Sequence, residues 1–100
     1  MALNTGVIPG YNYTNITAAA PTTTVVKSGL GVLHAITFNK PTATCVVTLY
    51  DNTSAAGSII GTITIPANPM PVTLLYDVAF NNGLTIVTAT GASDITVSYV

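Results

Sequence analysis

The stretch TCVVTLYDNTSAAGSIIGTITIP, residues 44–66, decides the fold that this sequence predicts. It contains two runs in which apolar and polar side chains alternate, the pattern of half-buried strands. Between them, Asp51 and Asn52 begin a reversal, because both side chains bond nearby backbone groups, and Gly57 supplies a positive φ. The stretch therefore predicts a β-hairpin. Its inward faces are predicted to be Cys45, Val47 and Leu49 before the turn and Ile59, Gly61, Ile63 and Ile65 after it.

Similar alternating runs continue on both sides of this hairpin. They occupy residues 22–28, 31–39, 72–80, 84–89 and 94–100, with turn residues between them. Counting the two hairpin strands, about seven short strands at regular spacing predict an all-β fold, a single antiparallel β-sandwich. Jelly-roll and immunoglobulin-like topologies both remain open, because strand patterns do not reveal the order in which strands pair.

Two of these segments carry further expectations. In residues 31–39, Val32, His34, Ile36 and Phe38 alternate with Leu33, Ala35 and Thr37, so both faces are mostly apolar and we expect the strand to be covered on both sides. After residues 72–80, the sequence Asn81-Asn82-Gly83 is typical of a tight β-hairpin turn.

Residues 1–21 differ from the rest, because they lack a clean period and contain scattered glycines and prolines. We interpret them as an extended N-terminal arm attached to a sandwich domain of residues 22–100. The arm is expected to add a short strand to the sheet edge of a neighbouring subunit; the alternative is a frayed terminus. The predicted partner-binding residues are Val7, Ile8, Tyr11, Tyr13 and Ile16.

The composition indicates a protein that works inside an assembly. Only 5% of the residues are charged, namely Lys27, Lys40, Asp51, Asp77 and Asp94, while 49% are hydrophobic. An average soluble protein has roughly 25% charged residues. A surface with so few charges is neutral and partly apolar, and large apolar surface usually marks contact with another protein.

The same composition excludes several other classes of function. Two lysines form no basic patch for nucleic acid, and no apolar run is long enough for a transmembrane helix. The first residues lack the basic and apolar regions of a secretory signal, so we expect synthesis and folding in a cytoplasm. Neither nucleic acid nor membrane is therefore an expected partner.

Few residues offer chemistry. His34 is the only histidine, and its neighbours in the strand predict a structural role. The three aspartates are predicted near turns or strand ends, where Asp bonds to local backbone, and Cys45 is predicted to be a small buried hydrophobe. Calcium held by Asp51 and loop carbonyls stays open as a lesser alternative. We expect a protein without enzymatic activity, catalytic residues, metal or cofactor.

Five segments, in the same order along residues 22–100, resemble a family of small tailed-bacteriophage structural proteins. They are KSGLGVLH at 27–34, VTLYDN at 47–52, GSIIG at 57–61, DVAFNNGL at 77–84 and DITVSY at 94–99. The resemblance implies a component of the virion, either a head decoration (cement) protein or a tail-associated module. It brings no catalytic residues, and residues 1–21 lie outside it.

Composition and resemblance together predict a capsid decoration protein. Such a protein would form a homotrimer, bind between copies of the major capsid protein on the capsid surface of the virion, and be made in the cytoplasm of the host bacterium. The alternative is a tail or fibre module that binds host-surface glycans through exposed tyrosines; the candidates are Tyr11, Tyr13, Tyr50, Tyr76 and Tyr99.

Overall fold

The computed structural model describes residues 10–100, which form eight β-strands and no helix. The strands are β1 (Asn12–Ile16), β2 (Thr22–Ser28), β3 (Gly31–Lys40), β4 (Val46–Tyr50), β5 (Ile59–Thr64), β6 (Val72–Phe80), β7 (Gly83–Ala89) and β8 (Asp94–Tyr99). They form two four-stranded antiparallel sheets with the orders β1-β8-β3-β6 and β2-β7-β4-β5. The prediction of an all-β sandwich is confirmed, with eight strands in place of about seven.

The strand pairs are nested inside one another. β4 pairs with β5, β3 with β6, β2 with β7 and β1 with β8, all antiparallel. Successive nested pairs alternate between the two sheets, so the chain follows the path of one long hairpin that has been wrapped around the core. Eight strands connected in this way have the order of a jelly roll.

The additional strand, β1, lies within residues 1–21, the segment predicted to be an extended arm. β1 pairs along its whole length with β8 of the same chain, from Asn12 opposite Tyr99 to Ile16 opposite Ile95. A short strand does form in this segment, as expected, but it completes the sheet of its own chain. Residues 1–9 lie outside the described residues.

The core is built from the inward faces of both sheets. It contains Leu33, Ile36 and Phe38 from β3, Val47 and Leu49 from β4, Leu84 and Ile86 from β7, and Ile95, Val97 and Tyr99 from β8, with Ile16, Cys45, Ile65 and Phe80. Most of these side chains have no exposed surface. Fully burying one large aliphatic side chain contributes roughly 1.5–3 kcal/mol, so the central strands supply most of the hydrophobic stabilisation.

A bulge in β3 overturns the face that we predicted for His34. The register shifts between Leu33 and Ala35 against both neighbouring strands. Leu33 therefore lies on the core side together with Ile36 and Phe38, while His34 is placed on the outer face and is only partly buried. An extra residue in one strand inverts the alternation of side chains beyond it. The prediction assumed an uninterrupted alternation through residues 31–39 and therefore placed His34 on the same face as Ile36 and Phe38.

The β4–β5 hairpin is confirmed, but a second bulge changes its inward face. The register shifts between Leu49 and Tyr50, so Leu49 lies opposite Gly61 and Tyr50 lies opposite Ile59. Ile59 is consequently 56% exposed, and Ile60 packs against the core in its place. Ile63 and Ile65 face inward as predicted.

The turn at Asn81 and Asn82 does not close a hairpin. β6 pairs with β3 in one sheet, whereas β7 pairs with β2 and β4 in the other, so the turn carries the chain between the sheets. The Asp51 carboxylate at the end of β4 holds it, accepting hydrogen bonds from the backbone N–H groups of Asn81 (3.0 Å) and Asn82 (2.8 Å). These two bonds lower the pKa of Asp51 below its ordinary value.

Candidate functional site

The five predicted partner-binding residues have different positions. Val7 and Ile8 lie outside the described residues. Tyr11 and Tyr13 are 51% and 74% exposed and belong to the outer face of the β1-β8-β3-β6 sheet. Ile16 is 4% exposed and forms part of the core, so its side chain packs inside the sandwich. Two of the five therefore present surface to a partner.

Tyr11 lies against a histidine that is paired with an acid. Its ring stacks on the His34 ring, with centroids 3.9 Å apart and the planes 2° from parallel. His34 Nδ1 lies 2.6 Å from a carboxylate oxygen of Asp77 on the neighbouring strand β6. Asp77 has a φ of 49° and sits where β6 has one residue more than β3. The predicted structural role of His34 is consistent with this arrangement, although Asp77 lies inside a strand and not at its end.

A network of polar side chains occupies the other end of the same outer face. Asn15 Nδ2 donates to the Asp94 carboxylate at 2.7 Å, and Asn39 Nδ2 donates to the same oxygen at 3.1 Å and to Thr96 Oγ1 at 2.9 Å. The two amide donors, Asn15 foremost, hold the pKa of Asp94 below its ordinary value, and Lys40 adds a smaller effect. The network joins three strands, β1, β8 and β3.

An open cavity adjoins this network. Its volume is about 360 Å³, and its lining includes Thr17, Lys40, Thr42, Ser93 and Asp94. The loop after β3 is tied to the turn before β8 here, because the Thr42 backbone N–H donates to Ser93 Oγ at 2.8 Å and the Thr42 hydroxyl donates to the Ala92 carbonyl. Two of the five charged residues of the chain, Lys40 and Asp94, thus line one cavity and carry opposite charges.

Apolar side chains are also exposed on the edge strands β5 and β6 and in the loop that joins them. β5 and β6 are edge strands of their respective sheets, and Gly61 of β5 lies against Tyr76 of β6. We call the exposed apolar residues of these strands and of the loop that joins them the β5–β6 edge surface. It consists of Ile59 (56% exposed), Met70 (77%), Val72 (44%) and Leu75 (69%).

The β5 edge carries few of the features that keep sheet edges apart. Its six residues, IIGTIT, include neither a charge nor a proline. Natural edge strands are commonly protected by charged residues, prolines or bulges, and within residues 10–100 β5 pairs with β4 alone. Its bulge lies at the first residues of the strand, so Thr62 to Thr64 remain regular.

The remaining candidates for chemistry are structural. Cys45 is buried, as predicted, and its thiol donates to the Gly91 carbonyl at 3.2 Å. Across residues 10–100, His, Cys, Asp and Glu side chains do not gather in groups of three that would hold a metal ion. The same residues include no helical segment that would span a lipid bilayer.

The contacts on the outer face were missed by sequence reasoning for a specific reason. His34 and Asp77 are far apart in the sequence, and both lie at bulges, so no periodic pattern brings them to one face. The Asn15, Asn39 and Asp94 network also joins distant residues. The only available signal was that each of these polar residues falls in or beside a predicted strand.

No protein-family model, no curated protein and no solved structure matches this chain. The function is therefore proposed from its residues and from the geometry of its two sheets.

Proposed function

We propose that this chain is a non-enzymatic structural protein of a bacteriophage virion, a decoration protein that self-associates and binds between major capsid proteins. The observation that carries the proposal is the β5–β6 edge surface in a chain with only five charged residues. Exposed apolar residues beside a strand edge that has neither charge nor proline favour pairing with another chain. The resemblance of five segments to tailed-phage structural proteins supports the virion as its location.

A second copy of the chain is the expected occupant of this surface. A strand added to the outer edge of β5, which within residues 10–100 pairs with β4 alone, would bond the backbone groups along that edge, while Leu75 and Met70 would bury apolar surface at roughly 25 cal/mol per Å². Charge repulsion between copies is small because the net charge is −1. We propose a trimer, the oligomer that fits a local three-fold position on a shell; its contact is head-to-tail, with the β5 edge of one copy against a different part of the next copy, because an edge that pairs with itself closes as a dimer.

Two leucines of similar exposure allow a matched test of self-association. Leu75 on β6 is 69% exposed, and Leu30 in the turn between β2 and β3 is 75% exposed. We expect Leu75→Lys to convert the oligomer to a monomer in sedimentation equilibrium, because it places a charge in the apolar contact, whereas Leu30→Lys leaves the oligomer intact. Equal behaviour of the two variants, or a monomeric parent protein, contradicts the proposed surface.

A separate measurement tests whether the chain is a component of the virion. Quantitative mass spectrometry of purified particles of the phage that encodes the chain compares its copy number with that of the major capsid protein. A fixed simple ratio with many copies is expected for a shell component. Absence of the chain from the particle overturns the assignment.

A second candidate is a tail or fibre module that binds host-surface glycans. The observation that favours it is the exposure of Tyr11 and Tyr13 on one sheet face. Aromatic rings with an apolar body and a polar tip suit such contacts. In the same mass spectrometry, this candidate predicts a few copies per particle.

A further inference from the structure

We infer that the outer face of β1, β8 and β3 is a binding groove for a short, neutral oligosaccharide, running from Tyr13 to the cavity at Lys40. The inference deepens the second candidate function, because it names the site and the class of ligand, and it does not depend on where the chain sits in a particle. Three features carry it: an exposed aromatic ring at one end, small side chains between, and a polar cavity at the other end.

The registers place these features in line. Tyr13 lies opposite Ser98, which lies opposite Ala35; Asn15 lies opposite Thr96; and Asp94 lies opposite Lys40. Each step of two residues advances about 7 Å along a strand, so Tyr13 and the cavity are separated by about 14 Å along β8. This is the length of a short oligosaccharide, not of a single sugar ring.

Tyr13 supplies the stacking surface. Its side chain is 74% exposed and stands on the outer face beside the small Ser98. The C–H face of a pyranose ring is apolar, and an aromatic ring of this kind covers it without desolvating the sugar hydroxyls. Tyr11 is a less available platform, because one face of its ring already lies against His34.

The polar network supplies acceptors for hydroxyl groups. The Asn15 and Asn39 amide nitrogens are used within the network, since they donate to Asp94 and Thr96. Each amide oxygen still has capacity to accept, as does the second oxygen of the Asp94 carboxylate. Sugar hydroxyls donate to such oxygens, and the Lys40 ammonium at the cavity donates in return.

The charges favour a neutral ligand over an ion. Lys40 and Asp94 both line the cavity, and their formal charges cancel. A free phosphate would meet the Asp94 carboxylate, and a cation would meet the Lys40 ammonium. The cavity volume of about 360 Å³ lies at the small end of ordinary ligand sites.

The test uses the full chain, labelled with nitrogen-15, and three probes: chitotriose, maltotriose and inorganic phosphate. Each is titrated to about 10 mM, because few-contact sugar sites bind in the millimolar range. We expect one of the trisaccharides to shift the backbone amide signals of Tyr13, Asn15, Thr96 and Lys40, and phosphate to leave them unchanged.

Variants locate the binding. Tyr13→Ala is expected to weaken the trisaccharide about tenfold, the effect of removing one aromatic anchor. Val25→Ala, at a 50% exposed position on β2 of the other sheet, is the matched control and is expected to bind like the parent. Lys40→Gln is expected to reduce affinity while leaving the amide signals of the free protein unchanged at residues remote from position 40.

The outcomes separate the two levels of the proposal. Trisaccharide shifts on another surface, or binding unaffected by Tyr13→Ala, overturn this groove while the glycan-binding function stands. Absence of shifts with both trisaccharides overturns the groove and that function together. Shifts with phosphate alone overturn the neutral ligand and identify an anion site instead.

Discussion

Thr85 and Thr88 lie close together on β7 and both are buried, yet their hydroxyls have different surroundings. Thr85 Oγ1 donates to the Asn52 carbonyl at 2.7 Å, which ties the β4–β5 loop to β7. Thr88 Oγ1 has no hydrogen-bond partner among the residues that the structure describes. A buried hydroxyl without a partner costs roughly 1–3 kcal/mol, whereas a bonded one is nearly neutral or favourable.

The two threonines make a matched prediction. Thr88→Val removes an unpaired hydroxyl, so we expect the free energy of unfolding to rise by about 1 kcal/mol. Thr85→Val leaves the Asn52 carbonyl without its donor and is expected to lower stability by about 1–3 kcal/mol. Urea unfolding of both variants measures the difference, and a loss of stability in Thr88→Val contradicts the prediction.

Asp51 makes stability depend on pH. Its pKa is lowered in the folded chain because the Asn82 and Asn81 backbone N–H groups bind the carboxylate. A lowered folded pKa means that this stabilisation is complete above the ordinary Asp pKa of 3.8 and is lost as the pH falls through the folded value. We therefore expect Tm to fall as the pH is lowered from about 5 to about 2.

Substitutions of single aspartates test which carboxylates cause the fall of Tm at low pH. Asp51→Asn keeps the shape of the side chain and removes the charge, so its Tm is expected to fall less over that pH range. Asp94→Asn is expected to act in the same direction, because the Asn15 and Asn39 amides lower its pKa as well. Thermal melts at several pH values measure both, and curves parallel to that of the parent contradict the assignment.

At the scale of the strands, the bulges decide what could be predicted from the sequence. From Leu74 to Phe80 and from Asp94 to Tyr99 the strands keep their predicted alternation, and inward residues such as Phe80 and Val97 are buried, whereas Val72 at the start of β6 is 44% exposed. The bulge at His34 has no adjoining glycine or proline to mark it, and the bulge at Ile60 is marked only by the neighbouring Gly61. Their positions depend on contacts with partner strands, which the local sequence does not contain.

The local sequence also does not determine which strands pair or which side chains meet on the outer face of the β1-β8-β3-β6 sheet. The Asn81-Asn82-Gly83 turn has the composition of a hairpin, but the Asp51 carboxylate and the pairing of β7 with β2 direct the chain to the other sheet. The sequence predicts Asp51 as a turn residue, but the backbone N–H of Asn81 that it binds lies 30 positions further along the chain. The exposure of Tyr13 could be predicted, because a strand with one buried face leaves the side chains of its other face in solvent.

Two strand glycines differ in what surrounds them. A Cβ on Gly31 would collide with the carbonyl oxygen of Val100 and lie 2.7 Å from the Phe80 ring, whereas on Gly61 it would lie 2.9 Å from the Tyr76 hydroxyl. The Val100 carbonyl is fixed by a hydrogen bond from the Val32 N–H. The Tyr76 hydroxyl is the far end of a partly buried side chain, which can shift more easily than a backbone carbonyl.

We therefore expect Gly31→Ala to destabilise the fold by about 1–3 kcal/mol, the usual cost of overpacking. Gly61→Ala is expected to be close to neutral, because alanine is about 0.5–1 kcal/mol more favourable than glycine in a strand interior. Chemical unfolding compares the pair, and a Gly61→Ala variant as unstable as Gly31→Ala contradicts the explanation.

At the scale of the whole molecule, the scarcity of charge determines how copies should interact. With five charged residues and a net charge of −1, attraction between proposed subunits depends on apolar burial. Ion pairs between surfaces weaken as salt screens them, whereas apolar association does not.

We expect the dissociation constant for self-association to change less than about tenfold between about 0.05 M and about 1 M NaCl, and sulfate to strengthen association. Sedimentation equilibrium at both salt concentrations measures it. Dissociation in high salt contradicts apolar association through the β5–β6 edge surface.

The nested pairing of the strands also has a consequence for how quickly the chain folds. The β4–β5 pair closes a short loop, while Asn12 of β1 must find Tyr99 of β8, nearly the full length of the described chain away. Such a high contact order slows folding, because the entropy of loop closure opposes each distant contact until inner pairs shorten the loop. Zipping outward from the hairpin avoids most of that entropy loss. Stopped-flow chevrons are expected to show Val47→Ala slowing refolding and Ile16→Ala mainly speeding unfolding. β1, which precedes the other described strands in the chain, would then be the last of them to join the native structure.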